Sequence, residues 1–146
     1  MDIGPGHAGR HSLFLQSKGI PIIAVDVSTR VLAHYHCDIR DVTAHPESLA
    51  LVVDIKSMIP YVDDSPLDKI HSLLCKDGFF YCMTPTHRHK NEEGAFDVSQ
   101  GLHINLYSKE EIRDMLHMFS DVNIRELYEP IGRQQWLSTW CIEARK

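Results

Sequence analysis

No apolar run in this chain exceeds about eight residues, against the ~20 that a bilayer-spanning helix needs, so no membrane segment is expected. No CxxC pair occurs either: Cys37, Cys75, Cys82 and Cys141 lie far apart. No basic segment follows Met1, so no secretory leader is expected and the four thiols read as reduced and buried in a cytoplasmic protein. Positive charge is also scarce. Lys plus Arg number 15 against 20 for Asp plus Glu, a net charge of −5. That balance gives no basis for neutralising phosphates, so neither nucleic acid nor an anionic membrane is an expected partner. Repeats, low-complexity tracts and linkers are missing as well.

What is present fits one globular domain over residues 1–146, with 43% hydrophobic and 24% charged residues. Apolar runs alternate with helical patterns, the signature of a mostly parallel sheet covered by helices. Met1-Asp2-Ile3-Gly4 reads as the tail of a strand entering a glycine turn, and a helix over 12–18 ends at Gly19. Pro21–Asp26 and Leu49–Asp54 read as buried strands, each closed by an acid. A two-turn helix over 28–35 and a short strand around His36–Ile39 lie between them. Ser65-Pro66-Leu67-Asp68 opens a helix carrying Leu67, Ile70, His71 and Leu74, which stops at Asp77-Gly78 before a strand over Phe79–Thr84. Residues 86–107 are polar and irregular. Ser108-Lys109-Glu110-Glu111 is a capping box for a helix with Ile112, Met115, Leu116 and Phe119 on one side. Val122–Leu127 and Trp136–Ala144 close the chain as a strand pair able to run antiparallel. The expected class is α/β: a doubly wound, Rossmann-like sheet with a short first strand.

Chemistry concentrates in Asp2-Ile3-Gly4-Pro5-Gly6-His7-Ala8-Gly9. Gly4 and Gly6 permit a sharp turn into a helix N-terminus, whose unpaired N–H groups suit a ligand. Asp26, with Val27 after it, ends the next strand, where an acid can accept from ribose hydroxyls. Gly4-x-Gly6-x-x-Gly9 with an acid at 26 also fits a dinucleotide fingerprint, so an NAD-binding domain is one reading. The acid at position 2 weighs against it, because a carboxylate two residues before the first glycine repels a pyrophosphate. Taken singly, an acid such as Asp41 reads equally as a helix cap or solvated turn residue, whereas Asp26 closes an otherwise apolar strand and reads as a ligand contact. The His34/His36 and His87/His89 pairs have metal-chelating spacing, yet no carboxylate or thiol near the second pair completes a site, and surface histidines with no metal are expected.

Taken together, these segments resemble the class I S-adenosylmethionine-dependent methyltransferases. Asp2-x-Gly4-x-Gly6 resembles the family's acid-x-Gly-x-Gly motif, and Asp26 its ribose-binding acid. Cys37-Asp38-Ile39-Arg40-Asp41 is similar to the segment that meets the adenine. Val53-Asp54-Ile55-Lys56-Ser57-Met58 resembles the stretch beside the methionine part. Leu74–Phe80 and Leu106–Ile112 resemble the turn before the fifth strand and a late helix start found in small-molecule members, including the tellurite-resistance type. The resemblance implies S-adenosylmethionine as cofactor and a methyl acceptor that is a small molecule. It implies cofactor contacts from Asp2, Gly4, Pro5, Gly6, Asp26, Val27, Asp38, Ile39 and Asp54. The rival within the same fold is a shortened, non-catalytic binding domain.

No catalytic pair follows from spacing. His11, His87, His89 and His103 are candidate proton acceptors, Tyr61 a candidate substrate wall, and Trp136 and Trp140 candidate homodimer contacts. The implied strand order, 3-2-1-4-5-7-6, puts the first strand at the sheet's centre. With only three residues before Gly4, the second and fourth strands are expected to face a poorly filled slot, leaving buried backbone groups unpaired.

Overall fold

Among the described residues, one six-stranded sheet runs from two-residue strands at one side to strands of ten and eleven residues at the other. The computed structural model describes residues 1–59, 65–86, 105–130 and 136–146. In chain order the elements are β1 (Asp2–Ile3), α1 (Arg10–Ser17), β2 (Ala24–Val25), β3 (Leu49–Ile55), α2 (Ser65–Leu73), β4 (Leu74–Pro85), α3 (Lys109–Met115), β5 (Ser120–Pro130) and β6 (Trp136–Arg145). The strand order is β2-β1-β3-β4-β6-β5. The first four strands in that order run parallel, and β6 is antiparallel to both β4 and β5. This is the expected doubly wound α/β class with an antiparallel C-terminal pair.

The slot expected at the centre is closed. β1 pairs with β2 on one side and β3 on the other, Asp2 opposite both Ala24 and Val53. Bonds beyond the two-residue ladder extend it. Asp2 N–H donates to Ile23 O and Gly4 N–H to Val25 O, each at 2.8 Å. On the β3 side the Met1 amino group donates to Leu51 O at 2.7 Å, and Val53 N–H to Met1 O at 2.9 Å. Four backbone residues therefore satisfy both neighbours, and the buried groups expected to lack partners have them.

Other expectations are corrected between β2 and β3. No helix forms over 28–35; the chain bends there, held by Ser28 N–H donating to Asp26 and by the His36 ring on Ser28 O. No strand forms at 36–39 either. Tyr35 makes one isolated parallel bridge to Val25, and Ile39–Asp41 is a 3-10 turn capped by Asp38. The segment is too short for a helix and a returning strand. β2 is shorter than the apolar run 21–26: Pro21 has no N–H to give, and only Ala24 and Val25 pair with β1 in the ladder, Ile23 adding its carbonyl alone. Leu74 starts β4 instead of closing α2, pairing with Leu49 before the chain turns at Asp77, whose φ is +63°.

The core lies on one side of the sheet. Leu67 of α2, Ile112 and Met115 of α3 and the C-capping Leu116 meet Phe80 and Ile142, and the Phe80 and Phe119 rings stack at 5.9 Å. All four cysteines are unpaired, Cys82 and Cys141 buried and Cys37 and Cys75 half-buried. The capping box at α3 is complete: Ser108 accepts from Glu111 N–H at 3.2 Å, and the Glu111 carboxylate accepts from Ser108 N–H at 2.7 Å. Ser108→Ala is expected to lower unfolding free energy by about 1 kcal/mol, with Ser108→Thr retaining most of it. Urea denaturation measures both, and equal loss in the two variants would contradict the cap.

Candidate functional site

The sheet reverses its winding at β1: the chain leaves β1 for β2 on one side and returns to β3 on the other. Open α/β sheets place ligands at the carboxyl ends of strands at such a reversal. A cleft of about 680 Å³ opens there, lined by residues of the β1, β2 and β3 ends and of the 37–39 segment. Its size falls within the ~300–1,000 Å³ of small-molecule and cofactor sites.

After β1 the backbone turns through Gly4 and Gly6 at φ of +60° and +65°, where a side chain is strained. The two glycines do different things. A Cβ on Gly4 would overlap the Ser57 side chain, so its bareness lets the β3 loop approach β1. Around Gly6 the space is open, and Gly6 is the glycine that gives the cleft an unobstructed backbone.

Seven of the nine residues expected to contact the cofactor line this cleft: Gly4, Pro5, Gly6, Asp26, Val27, Asp38 and Ile39. Asp26 leaves the carboxyl end of β2 half-buried, and its Oδ1 accepts from Ser28 N–H at 2.8 Å. Asp38 caps the 3-10 turn and is gripped by the Arg40 guanidinium at 2.9 and 2.8 Å. Those guanidinium bonds hold the Asp38 carboxyl below the usual carboxylate range.

Asp2 and Asp54 lie beneath the cleft instead of on its wall. Asp2 is 1% exposed and accepts from Ser12 Oγ at 2.5 Å, tying α1 to β1. Asp54 is wholly buried at the end of β3. Its Oδ1 accepts from Ser57 N–H at 3.2 Å, the Ser57 hydroxyl and Met58 N–H at 2.9 Å, and its Oδ2 from Ile59 N–H at 3.1 Å. Asp54 therefore shapes the turn that presents Lys56, Ser57 and Met58 to the cleft. Those three residues were not singled out in the sequence, although the segment containing them was. Lys56 adopts φ +57° while its N–H donates to Met83 O at 2.8 Å, which fixes the β3 exit against β4. A non-glycine residue held there costs ~1–3 kcal/mol, met here by the surrounding bonds.

Ile3, Val25, Cys37 and Ile55, which lie in the quoted segments but were not among the nine expected contacts, add apolar and thiol lining, and His11 of α1 joins them. The neighbouring histidines serve the backbone: His34 Nδ1 accepts from Ala24 N–H at 3.0 Å, and His36 Nδ1 lies 3.0 Å from Ser28 O. No cluster of three or more metal-ligating side chains occurs among the described residues. Trp140 is tied inward by its indole N–H, which donates to Tyr107 O at 2.9 Å. Tyr61, His87, His89 and His103 lie outside the described residues.

No protein-family model matches the chain, and no curated protein matches it by sequence. Solved structures do match by fold. An S-adenosylmethionine-dependent methyltransferase from Methanosarcina mazei superposes with a TM-score of 0.73 at 15% identity, over 99% of this chain and 90% of that one. The 1,6-didemethyltoxoflavin-N1-methyltransferase of Burkholderia thailandensis, with bound 1,6-didemethyltoxoflavin and S-adenosylhomocysteine, gives 0.74 at 19% over 99% and 69%. A methyltransferase of Thermotoga maritima described as a possible histamine N-methyltransferase gives 0.70 at 17% over 99% and 80%. The shared property is the Rossmann-like methyltransferase fold.

Burial pushes the Asp54 carboxyl above its ordinary value of 3.8, against the hydrogen bonds of Ser57, Met58 and Ile59 that hold it down. A native state that keeps a proton the unfolded chain has released loses stability as pH rises between the two pKa values. Asp54→Asn removes that titration. The stability of the natural chain relative to Asp54→Asn is therefore expected to fall as pH rises from about 4 and to level off above the raised value. Urea unfolding at stepped pH reads the difference directly; a flat or rising one would show that Asp54 is ionised without penalty.

Proposed function

We propose that the cleft holds S-adenosylmethionine and that the chain is a methyltransferase acting on a small-molecule acceptor. One observation carries the reading: three separate motifs, at Gly4–Gly6, Asp26–Val27 and Asp38–Ile39, converge on one cleft at the winding reversal. The donor set fits the cofactor. Asp26 keeps Oδ2 to accept from a ribose hydroxyl while Oδ1 holds Ser28 N–H. Each carboxylate oxygen has two lone pairs, so Asp38 is able to accept an amino group with Arg40 still attached. Val25, Val27 and Ile39 supply apolar surface for a flat heterocycle.

Charge separates this reading from a dinucleotide. Asp2 is buried under the glycine turn with one hydroxyl partner, and its field opposes a pyrophosphate at Gly6. A ligand bearing a sulfonium and an ammonium meets an attractive field at the same place.

When bound, the cofactor supplies a methyl carbon on a sulfonium, open to in-line attack. The chain's part is to hold the two reactants in line, for which positioning suffices and no dedicated base is required. Asp26 lies on the β2 side of the glycine turn, and the Asp54-shaped turn holds Ser57 and Met58 on its β3 side. A small acceptor agrees with neighbours of this fold crystallised with 1,6-didemethyltoxoflavin or phosphomonomethylethanolamine.

Isothermal titration tests the proposal. S-adenosylhomocysteine is expected to bind more tightly than NAD, and Asp26→Ala to weaken it by about 2–3 kcal/mol with the melting curve little changed. Tighter binding of NAD, or equal S-adenosylhomocysteine affinity in Asp26→Ala, would remove the assignment.

A further inference from the structure

β2 is an edge strand, so the outward N–H and C=O groups of its backbone need partners from outside the ladder. The 34–35 segment supplies them. His34 and Tyr35 N–H both donate to Ala24 O, at 2.9 and 3.2 Å, and Asp26 N–H donates to Tyr35 O at 3.0 Å. The outward N–H of Ala24 goes to a side chain instead: His34 Nδ1 accepts it at 3.0 Å. Ala24 is buried, whereas His34 is exposed. This clasp joins the two pieces of chain that wall the cleft beside β2. Asp26 and Val27 follow directly from Ala24 and Val25, and Cys37, Asp38 and Ile39 follow shortly after His34.

We infer that His34 is a positioning residue for the cleft: its neutral ring holds the 37–39 wall against β2, and its protonated ring releases that wall. The inference rests on the cofactor reading of the cleft. A neutral imidazole has one acceptor nitrogen, and a protonated one has two donors and none. On protonation Nδ1–H would face Ala24 N–H, donor against donor, and buried donors are almost always paired in folded chains. Histidine ordinarily changes charge between about pH 5 and 8, and exposure lets a proton reach this ring. His36, on the same segment, behaves in the opposite way. Its partner Ser28 O can only accept, so Nδ1 is the donor and the bond survives protonation. The other titratable groups around the clasp are engaged elsewhere. Asp26 on β2 holds Ser28 N–H, and Asp2 of β1, opposite Ala24, holds Ser12. Asp38 is gripped by Arg40, and Tyr35 packs against the core.

Isothermal titration of S-adenosylhomocysteine at about pH 8 and about pH 5.5 tests this on the natural chain and two variants. His34→Asn keeps an acceptor oxygen close to the place of Nδ1 and does not titrate; His34→Leu has no acceptor. The natural chain is expected to bind about tenfold more weakly at the lower pH. His34→Asn should bind equally at both, and His34→Leu weakly at both. His11 also lines the cleft, so a pH dependence kept by His34→Asn would overturn the inference. Equal affinity of the natural chain at the two pH values would overturn it as well. The backbone amide shifts of Ala24 and Ile39, followed by NMR without ligand, read the clasp independently of the cofactor. Both are expected to move with pH in the natural chain and to stay fixed in His34→Asn. An Ile39 amide indifferent to pH would overturn the inference. Failure of S-adenosylhomocysteine to bind at either pH would defeat the cofactor reading, and the two amides would still decide the part played by His34. Circular dichroism melting at both pH values checks folding; should His34→Leu unfold, the natural chain and His34→Asn decide.

Discussion

Two residues at the centre of the sheet, Asp2 and Ile3, determine where everything else in the cleft can be. Their backbone joins β2 to β3, and Asp2 additionally anchors α1 through Ser12. Because β1 is so short, its pairing is extended by Met1 on one side and Gly4 on the other, which commits the backbone up to the first turn. The turn at Gly4–Gly6 is therefore aimed by main-chain bonds on both flanks. A central parallel strand that lost this pairing would leave buried N–H and C=O groups costing ~1–3 kcal/mol each. A two-residue strand is enough because Met1 and Gly4 carry its pairing beyond the ladder.

Buried acids then carry the cleft from below. Asp2 stands opposite Val53 and Asp54 opposite Ile3, so the two acids lie on opposite faces of adjacent strands, and both are engaged by protein donors. Asp54 stands in for the missing backbone partners of a sharp turn, accepting three consecutive N–H groups from 57 to 59. That use of a carboxylate is costly in the absence of charge compensation, which is why burial raises its pKa. The reward is rigidity: Ser57, packed against bare Gly4, links the β1 and β3 turns, and its hydroxyl reaches Ile3 O at 2.7 Å. The two turns that border the cleft consequently form one unit.

Much of this was legible in the sequence where a single physical rule dominated. The capping box at Ser108, the apolar run at 49–54 and the antiparallel C-terminal pair are local patterns with local causes, and they appear where expected. The glycine turn and Asp26 were legible because few backbones need glycine at positive φ beside a strand end. Residues 28–39 were not, since an apolar fragment such as Val31-Leu32 fits a helix on propensity, and only the tight return from β2 toward the sheet prevents one. The role of Asp54 was also hidden. An acid that closes an apolar strand looks the same whether its carboxylate meets a ligand or folds back onto the next turn; only the positions of Met58 and Ile59 N–H distinguish them.

The two halves of the sheet are unequal, and the inequality follows from the division of labour. β6 forms long antiparallel ladders with β4 and β5, seven residue pairs with β4 alone, backed by the Phe80–Phe119 core. β1 and β2 pair through two residues. Regions with few ladder bonds and few packed apolar groups open at lower free energy than the core does. The cleft stands on that thin half, with α1 burying only Ser12. A ligand that bridges Gly6, Asp26 and Ile39 would join three segments that the sheet itself ties together only weakly. Binding there is thermodynamically a contribution to the stability of the parallel half, since whatever binds the ordered form alone draws the equilibrium toward it. The long antiparallel half needs no such help.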